Sequence, residues 1–274
     1  MSLELDGLHI RIRDGDGDGD EPTVMWVHGY TLDSSIWVPL WDRIPWYRHV
    51  AFDLPGHGAS SQLRQGTRLS DIGRSVLMVA DATNASHLVG LSFGGTIALE
   101  ASLQAPQRFE SLCLASPGLV GGPQDEESAT CNLNMMAMAR ERGLGPWLAD
   151  RWLSVPPRIF AEVREKADVF ASLSSIVYRH SFRELCDESL ALMQSDPQDL
   201  RDLASISART LVMVGEHDMD AFKRCAQLIH RSIPGSKRLY LAGCGHLGLL
   251  EDPEQGARLL NETISSDHSP HGTV

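Results

Sequence analysis

Short apolar runs alternate with helix-length segments through most of this chain, and that alternation restricts its fold more than any other feature. The runs at 23–29 (TVMWVHG), 49–56 (HVAFDLPG), 86–92 (SHLVGLS), 111–117 (SLCLASP), 210–218 (TLVMVGEHD) and 237–245 (KRLYLAGCG) are bounded by turn-forming residues. Runs of this length and composition predict buried strands. Between several of them, segments 69–83, 94–106 and 220–235 space their apolar residues as helices do, the last closing on Pro234 and Gly235. Strand and helix in regular succession predict an α/β fold with a mostly parallel, doubly wound sheet covered on both faces. The opening LELDGLHIRIRDGDGDGDEP (3–22) reads instead as strand, turn and strand, which suits an antiparallel N-terminal edge.

The alternation stops between about 119 and 200. A glycine-rich start, GLVGGPQDEESA (118–129), leads into NLNMMAMARERGLGPWLADRWL (132–153), PPRIFAEVREKADVFASLSS (156–175) and FRELCDESLALMQSDPQDL (182–200), all helical in period. This predicts a helical insertion after the sixth strand. The chain then divides into a core formed by 1–118 and 201–274 and a helical cap formed by 119–200, and 274 residues suit one main domain. The last ten residues, SSDHSPHGTV, carry little apolar content and are expected to fray.

Charge narrows the choice of partners. A formal net charge of −12 with no basic stripe argues against nucleic acid, whose binding rests on clustered Lys and Arg. No apolar run approaches the roughly 20 residues of a spanning helix, and the N-terminus lacks a signal-peptide pattern, so no membrane partner and a soluble, cytoplasmic protein are expected. The five cysteines are scattered, odd in number and never in a CxxC pair, which disfavours a disulfide framework or a zinc site. DGDGDGDE (14–21) imitates the start of a calcium loop through Asp14, Asp16, Asp18 and Gly19, but the twelfth position is Met25, which has no carboxylate to offer. A solvated hairpin turn is the expectation there. No metal and no organic cofactor is implied, and oligomeric state is not legible.

The candidate chemistry centres on HLVGLSFGGTIALE (87–100). Gly90-Leu91-Ser92-Phe93-Gly94 matches G-x-S-x-G, placed after a predicted strand and before a predicted helix. A serine on such a turn is exposed as a nucleophile, and the helix points its positive end at any developing negative charge. A serine hydroxyl still needs a base, and the base needs an acid to fix its tautomer. Asp218 follows the run ending in MVGEHD, and His246 follows the run ending in LAGCG, which supplies Ser, Asp and His in chain order, each after a strand. Asp220 is the alternative acid, and Asp218 could instead cap the helix that begins near it. His217 adjoins the acid but would face away on strand-like alternation. Cys244 lies close to His246, yet no elbow surrounds it, so a packed thiol is expected.

With these motifs the chain resembles the α/β-hydrolase fold superfamily, in its serine-nucleophile branch, over about residues 20–262. Two further segments carry the resemblance. WVHGYTLDSSIW (26–37) is similar to the family's loop after the third strand, and this implies that the backbone N–H groups of Tyr30 and Phe93 form the oxyanion hole. FDLPGHGAS (52–60) is similar to the D-x-P-G-x-G-x-S segment after the fourth strand. His28 and His57 are then expected to hold loops. A serine nucleophile argues against the branches that use an aspartate, the haloalkane dehalogenases and epoxide hydrolases.

The expected function is therefore a serine hydrolase that cleaves an ester, lactone or thioester of a small to medium apolar substrate through an acyl-enzyme. A carbon–carbon bond hydrolase, lyase or cyclase using the same triad is the alternative, and a non-catalytic binding protein of the same fold is a remote third. Trp37, Met135, Met136, Met138, Trp147 and Trp152 are candidate pocket residues, with ordinary core packing an equal reading of each. Arg140, Arg142, Arg151 and Arg179 are candidates to hold a substrate carboxylate.

Overall fold

The computed structural model describes residues 1–17, 19–187 and 189–265. The C-terminal run expected to fray lies outside the described residues from 266 onward. Strands β1 (Ser2–Leu5) and β2 (Leu8–Arg13) form a hairpin. Its two-residue turn, Asp6-Gly7, has both φ angles positive, the conformation an Asp-Gly pair adopts at least cost. Then follow β3 (Thr23–Val27), β4 (Arg48–Phe52), β5 (His87–Leu91), β6 (Ser111–Ala115), β7 (Arg209–Gly215) and β8 (Lys237–Leu241), in one sheet of order β1-β2-β4-β3-β5-β6-β7-β8. The β1–β2 and β2–β4 pairs are antiparallel and the remainder parallel. The sheet is thus the mostly parallel one with an antiparallel N-terminal edge.

Two expectations need correction. The acidic 14–21 segment is not a hairpin turn: it joins β2 to β3, which do not pair because β4 lies between them. Asp18, the third residue of the calcium-like pattern, lies outside the described residues. The 237–245 run is not a buried strand either. β8 ends at Leu241 and, paired only with β7, exposes Lys237, Leu239 and Tyr240.

Successive strand residues point to opposite faces, and each face has its own helices. Met25 and Val27 pack with helices α2 (Leu69–Thr83), α3 (Phe93–Gln104) and α8 (Asp220–Ser232). Val24 and Trp26 pack with α1 (Val38–Trp41) and α10 (Pro253–Ile264), while the short α9 (Gly248–Glu251) follows the loop after β8. Between β6 and β7 the chain leaves the sheet to form a cap of α4 (Glu126–Arg142), α5 (Pro146–Leu153), α6 (Ala167–Val177) and α7 (Ser189–Met193), linked by 3-10 turns. Helix α4 starts where Asp125 accepts from the Ser128 N–H at 2.8 Å, and carries Glu126 and Glu127 in its first turn and Arg140 and Arg142 in its last. Those charges complement the helix dipole at both ends. Buried cap residues, among them Cys131, Met135, Leu148 and Phe160, continue the Trp26 face of the core.

A buried aromatic knot anchors that face. The Trp26 indole N–H donates to His49 Nδ1 at 3.2 Å, and His49 Nε2 donates to the Ile44 carbonyl at 3.0 Å. The His49 ring stacks on Trp41 at 5.1 Å and 6°. With one ring nitrogen accepting, this imidazole is neutral, and burial pushes its pKa down from 6.5 to about 4. Between those values the unfolded chain binds the extra proton, so stability falls as the pH drops from 6.5 toward 4. Urea unfolding at pH 7 and pH 4.5 should show the wild type losing about 2 kcal/mol more than His49→Gln, whose amide can still accept and donate. Equal losses would exonerate His49.

Candidate active site

Ser92 sits between the end of β5 and the start of α3 with φ 55° and ψ −120°, a backbone state that a side chain rarely adopts. The turn is tight because α3 begins against the end of β3: a Cβ at Gly94 would collide with the main-chain oxygens of Val27 and His28. Only glycine allows this approach. It also sets the His28-Gly29 loop beside the serine, where a Cβ on Gly29 would touch Ser92 Cβ at 3.4 Å.

His246 Nε2 lies 2.8 Å from Ser92 Oγ, and His246 Nδ1 lies 2.9 Å from Asp218 Oδ1. The imidazole and the carboxylate are both wholly buried. Asp218 Oδ1 also accepts from the Met219 N–H at 2.7 Å. Helix α8 has Met219 at its N-cap, with no side-chain capping bond, so Asp218 does not serve as its cap. Asp220 is exposed and faces an outer groove with Lys223 and Arg224. His217 points outward to Glu162 at 3.4 Å. Cys244 is buried, and burial pushes its thiol up to about 11, which leaves it protonated and inert.

A residue that sequence reasoning missed holds His246 in place. Glu251, in α9, accepts from the Gly245 N–H at 2.7 Å through one carboxylate oxygen and from the Leu247 N–H at 3.0 Å through the other. The two bonds straddle His246. Burial pushes the Glu251 carboxyl up, while these N–H groups stabilise its charge. From the cap, Lys166 Nζ donates to the Glu251 carbonyl. Only the spacing of Glu251 five residues after His246 hinted at this clamp.

On the opposite side, the Leu54 N–H donates to His28 Nε2 at 3.0 Å, so His28 Nδ1 carries the proton and donates to the Gly29 carbonyl at 2.9 Å. Asp53 accepts from the Ser34 and Ala59 N–H groups, each at 2.8 Å. These bonds fasten 52–60 to the loop that begins at Gly29. Phe93 opens α3, so its N–H has no acceptor within the helix. Tyr30 follows Gly29, and its phenol reaches the cap, where it meets Glu184.

All six candidate pocket residues lie in or against the hydrophobic cluster on the Trp26 face. Trp37 is fully buried against Trp26, with ring centroids 5.1 Å apart. Met135 is fully buried inside the cap beside Cys131. Met136, Met138 and Trp147 are half-buried against the core, and the Arg142 guanidinium covers the Trp147 ring at 4.9 Å. Trp152 packs edge-on to Tyr30 at 5.3 Å. Of the four candidate arginines, Arg151 bonds Ser154 and the Pro156 carbonyl, and Arg179 pairs with Asp33.

Among the described residues, no helix is long and apolar enough to cross a membrane, and no group of three or more His, Cys, Asp or Glu is arranged to hold a metal. Over 242 residues the chain is 26% identical to the pimeloyl-acyl-carrier-protein methyl ester esterase of Nitrosomonas europaea, a match covering 85% of this chain and 92% of that one. A 120-residue stretch is 40% identical to the dihydrolipoyllysine-residue acetyltransferase component of the acetoin cleaving system of Cupriavidus necator; it takes in 42% of this chain and only 31% of that protein's length. The enol-lactonase of Burkholderia xenovorans LB400 shares the fold, with a TM-score of 0.80 and 19% identity over 97% of this chain and 100% of that one. Residues 24–259 match the alpha/beta hydrolase family, and with the sheet order, the serine elbow and the helical cap already described, the chain belongs to it.

Proposed function

We propose that this protein is a serine hydrolase that cleaves an ester, lactone or thioester of a small to medium apolar substrate through an acyl-enzyme, with Ser92, His246 and Asp218 as its catalytic residues. The observation that carries the reading is the continuous relay from Ser92 Oγ through the His246 ring to Asp218, at 2.8 and 2.9 Å. Ser92 Oγ attacks the substrate carbonyl while His246 Nε2 takes its proton, and Asp218 stabilises the imidazolium. The N–H groups of Tyr30 and Phe93 receive the oxyanion, each such donor being worth about 2.7–4 kcal/mol. His246 then returns its proton to the departing alkoxide or thiolate. A water molecule, deprotonated by His246, cleaves the acyl-serine to give the acid and free Ser92.

The relatives named an esterase and an enol-lactonase act on ester-type bonds, which agrees with this class. The pairing of Arg151 and Arg179 within the protein, and the stacking of Arg142 on Trp147, leave those cations engaged and weigh against a carboxylate-clamping lyase. We take 1–118 with 201–274 as the core and 119–200 as the cap. The proposed compartment is the cytoplasm, where five free thiols stay reduced.

A fluorophosphonate probe should label the wild type on Ser92 and leave Ser92→Ala unlabelled; labelling that survives the substitution would sink the nucleophile assignment. Asp218→Asn should lower kcat on any accepted p-nitrophenyl ester by about three to four orders of magnitude, because the amide favours the wrong imidazole tautomer. Asp220→Asn should leave kcat within a small factor, and the reverse pattern would move the acid to Asp220. Across p-nitrophenyl esters, lactones, thioesters and vinylogous diketones, turnover should fall in the first three groups. Turnover of the diketones alone would transfer the proposal to carbon–carbon cleavage.

A further inference from the structure

Three polar ties join the cap to the residues immediately after His28-Gly29. The Tyr30 hydroxyl donates to Glu184 Oε1 at 2.5 Å, and His180 Nε2 lies 3.1 Å from the same oxygen. The Trp152 indole N–H donates to Thr31 Oγ1 at 3.0 Å, and that hydroxyl donates onward to the Tyr30 carbonyl at 2.7 Å. Asp33 pairs with Arg179 at 3.1 Å, closer to solvent. Residues 30, 31 and 33 are therefore each held by a different cap residue.

The two inner ties are buried and locally strained. Thr31 and Phe182 are buried residues with φ angles of 65° and 53°, and neither is glycine. One lies on the loop side of the Tyr30–Glu184 contact and the other on the cap side, two residues before Glu184. Backbone of this kind persists only where its surroundings over-determine it. Burial alone would raise the Glu184 carboxyl, but hydrogen bonds from His180 and Tyr30 hold it below its ordinary value. Burial and this carboxylate push the Tyr30 phenol well above its ordinary value, so it remains a neutral donor. An ionised carboxylate buried here without its donors would be costly, so loop and cap hold each other in register.

Holding the Tyr30 phenol and the Tyr30 carbonyl fixes the Tyr30 Cα, and with it the peptide N–H proposed above as an oxyanion donor. An oxyanion donor works only within about 2.7–3.1 Å of the place the charge develops. We propose that Glu184 and Trp152 are positioning residues for the oxyanion loop, so that the cap, through the Tyr30 phenol and the Thr31 hydroxyl, aims the Tyr30 N–H at the substrate carbonyl oxygen. This rests on the serine-hydrolase reading. The cap is then part of the catalytic geometry as well as a roof, and loosening it costs turnover more than affinity.

The test uses the full-length chain with Tyr30→Phe, Trp152→Phe, Glu184→Leu, Glu184→Gln and the double variant Tyr30→Phe/Glu184→Leu. Tyr30→Phe, Trp152→Phe and Glu184→Leu should each lower kcat by about ten- to a hundredfold with KM nearly unchanged. Affinity for a trifluoromethyl ketone, whose serine adduct places an oxyanion in the hole, should fall by the same factor. Glu184→Gln keeps an acceptor for the phenol and should recover part of the loss, and the double variant should be no worse than its poorer parent. Should Glu184→Leu fail to fold, Tyr30→Phe and Glu184→Gln carry the comparison. Losses confined to KM, an unchanged trifluoromethyl ketone affinity, or effects that multiply in the double variant would overturn the proposal. A wild type that fluorophosphonate does not label would instead defeat the serine-hydrolase reading beneath it; labelling of every variant at the wild-type rate would defeat the positioning role alone.

Discussion

The arrangement of this molecule depends on one close approach, that of the first turn of α3 to the end of β3. Backbone meets backbone there because Gly94 has no side chain, and Gly90 equally leaves room for the Gly94 carbonyl. That contact forces the chain to reverse at Ser92 in a single residue, with a positive φ. It also decides what stands beside the serine, since the loop leaving β3 carries Gly29 and Tyr30 to its flank. Ser92 and the Tyr30 main chain come from segments about sixty residues apart, joined by a contact that larger residues would forbid.

His246 and Asp218 are placed by different means. Asp218 is delivered directly by β7 and buried against His246, whereas His246 lies on a loop after β8, an edge strand with pairing on one side only. A loop at a sheet edge is a poor platform for a group that must hold two bonds at once. Glu251 compensates by gripping the main chain on both sides of the histidine, and Lys166 ties Glu251 to the cap. The precision of the relay thus comes from a carboxylate that touches neither Ser92 nor Asp218.

How much of this was legible in the sequence follows from what kind of information each feature carries. Ser92, Asp218 and His246 each follow an apolar run that ends in turn residues, so periodicity alone could line them up at one edge of the sheet. Strand order is not local information: nothing within 14–21 reveals that β4 will come between the strands it joins. Trp37 and Met135 are fully buried, and an apolar side chain in a sequence does not show whether it will meet core or substrate. Tyr30 and Glu184 are 154 positions apart, and their bond exists only once the cap has closed over the loop. A lone tyrosine and a lone glutamate leave no pattern at that range.

The point at which the cap leaves and rejoins the core bears on how such a protein could change its substrate. It departs after β6 and returns before β7, and its two ends meet where the Gln198 N–H donates to the Val120 carbonyl at 3.0 Å and the Val120 N–H donates to Gln198 Oε1 at 3.2 Å. An insertion whose ends already adjoin can lengthen or shorten with little loop-closure cost, each doubling adding only about 0.6 kcal/mol. The sheet would therefore accept an exchanged roof readily. The loop after β3 would be less tolerant, because a transplanted roof must bring its own acceptor for the Tyr30 phenol and its own donor for the Thr31 hydroxyl. Modularity in this chain is generous at the seam and exacting at two side chains far from it.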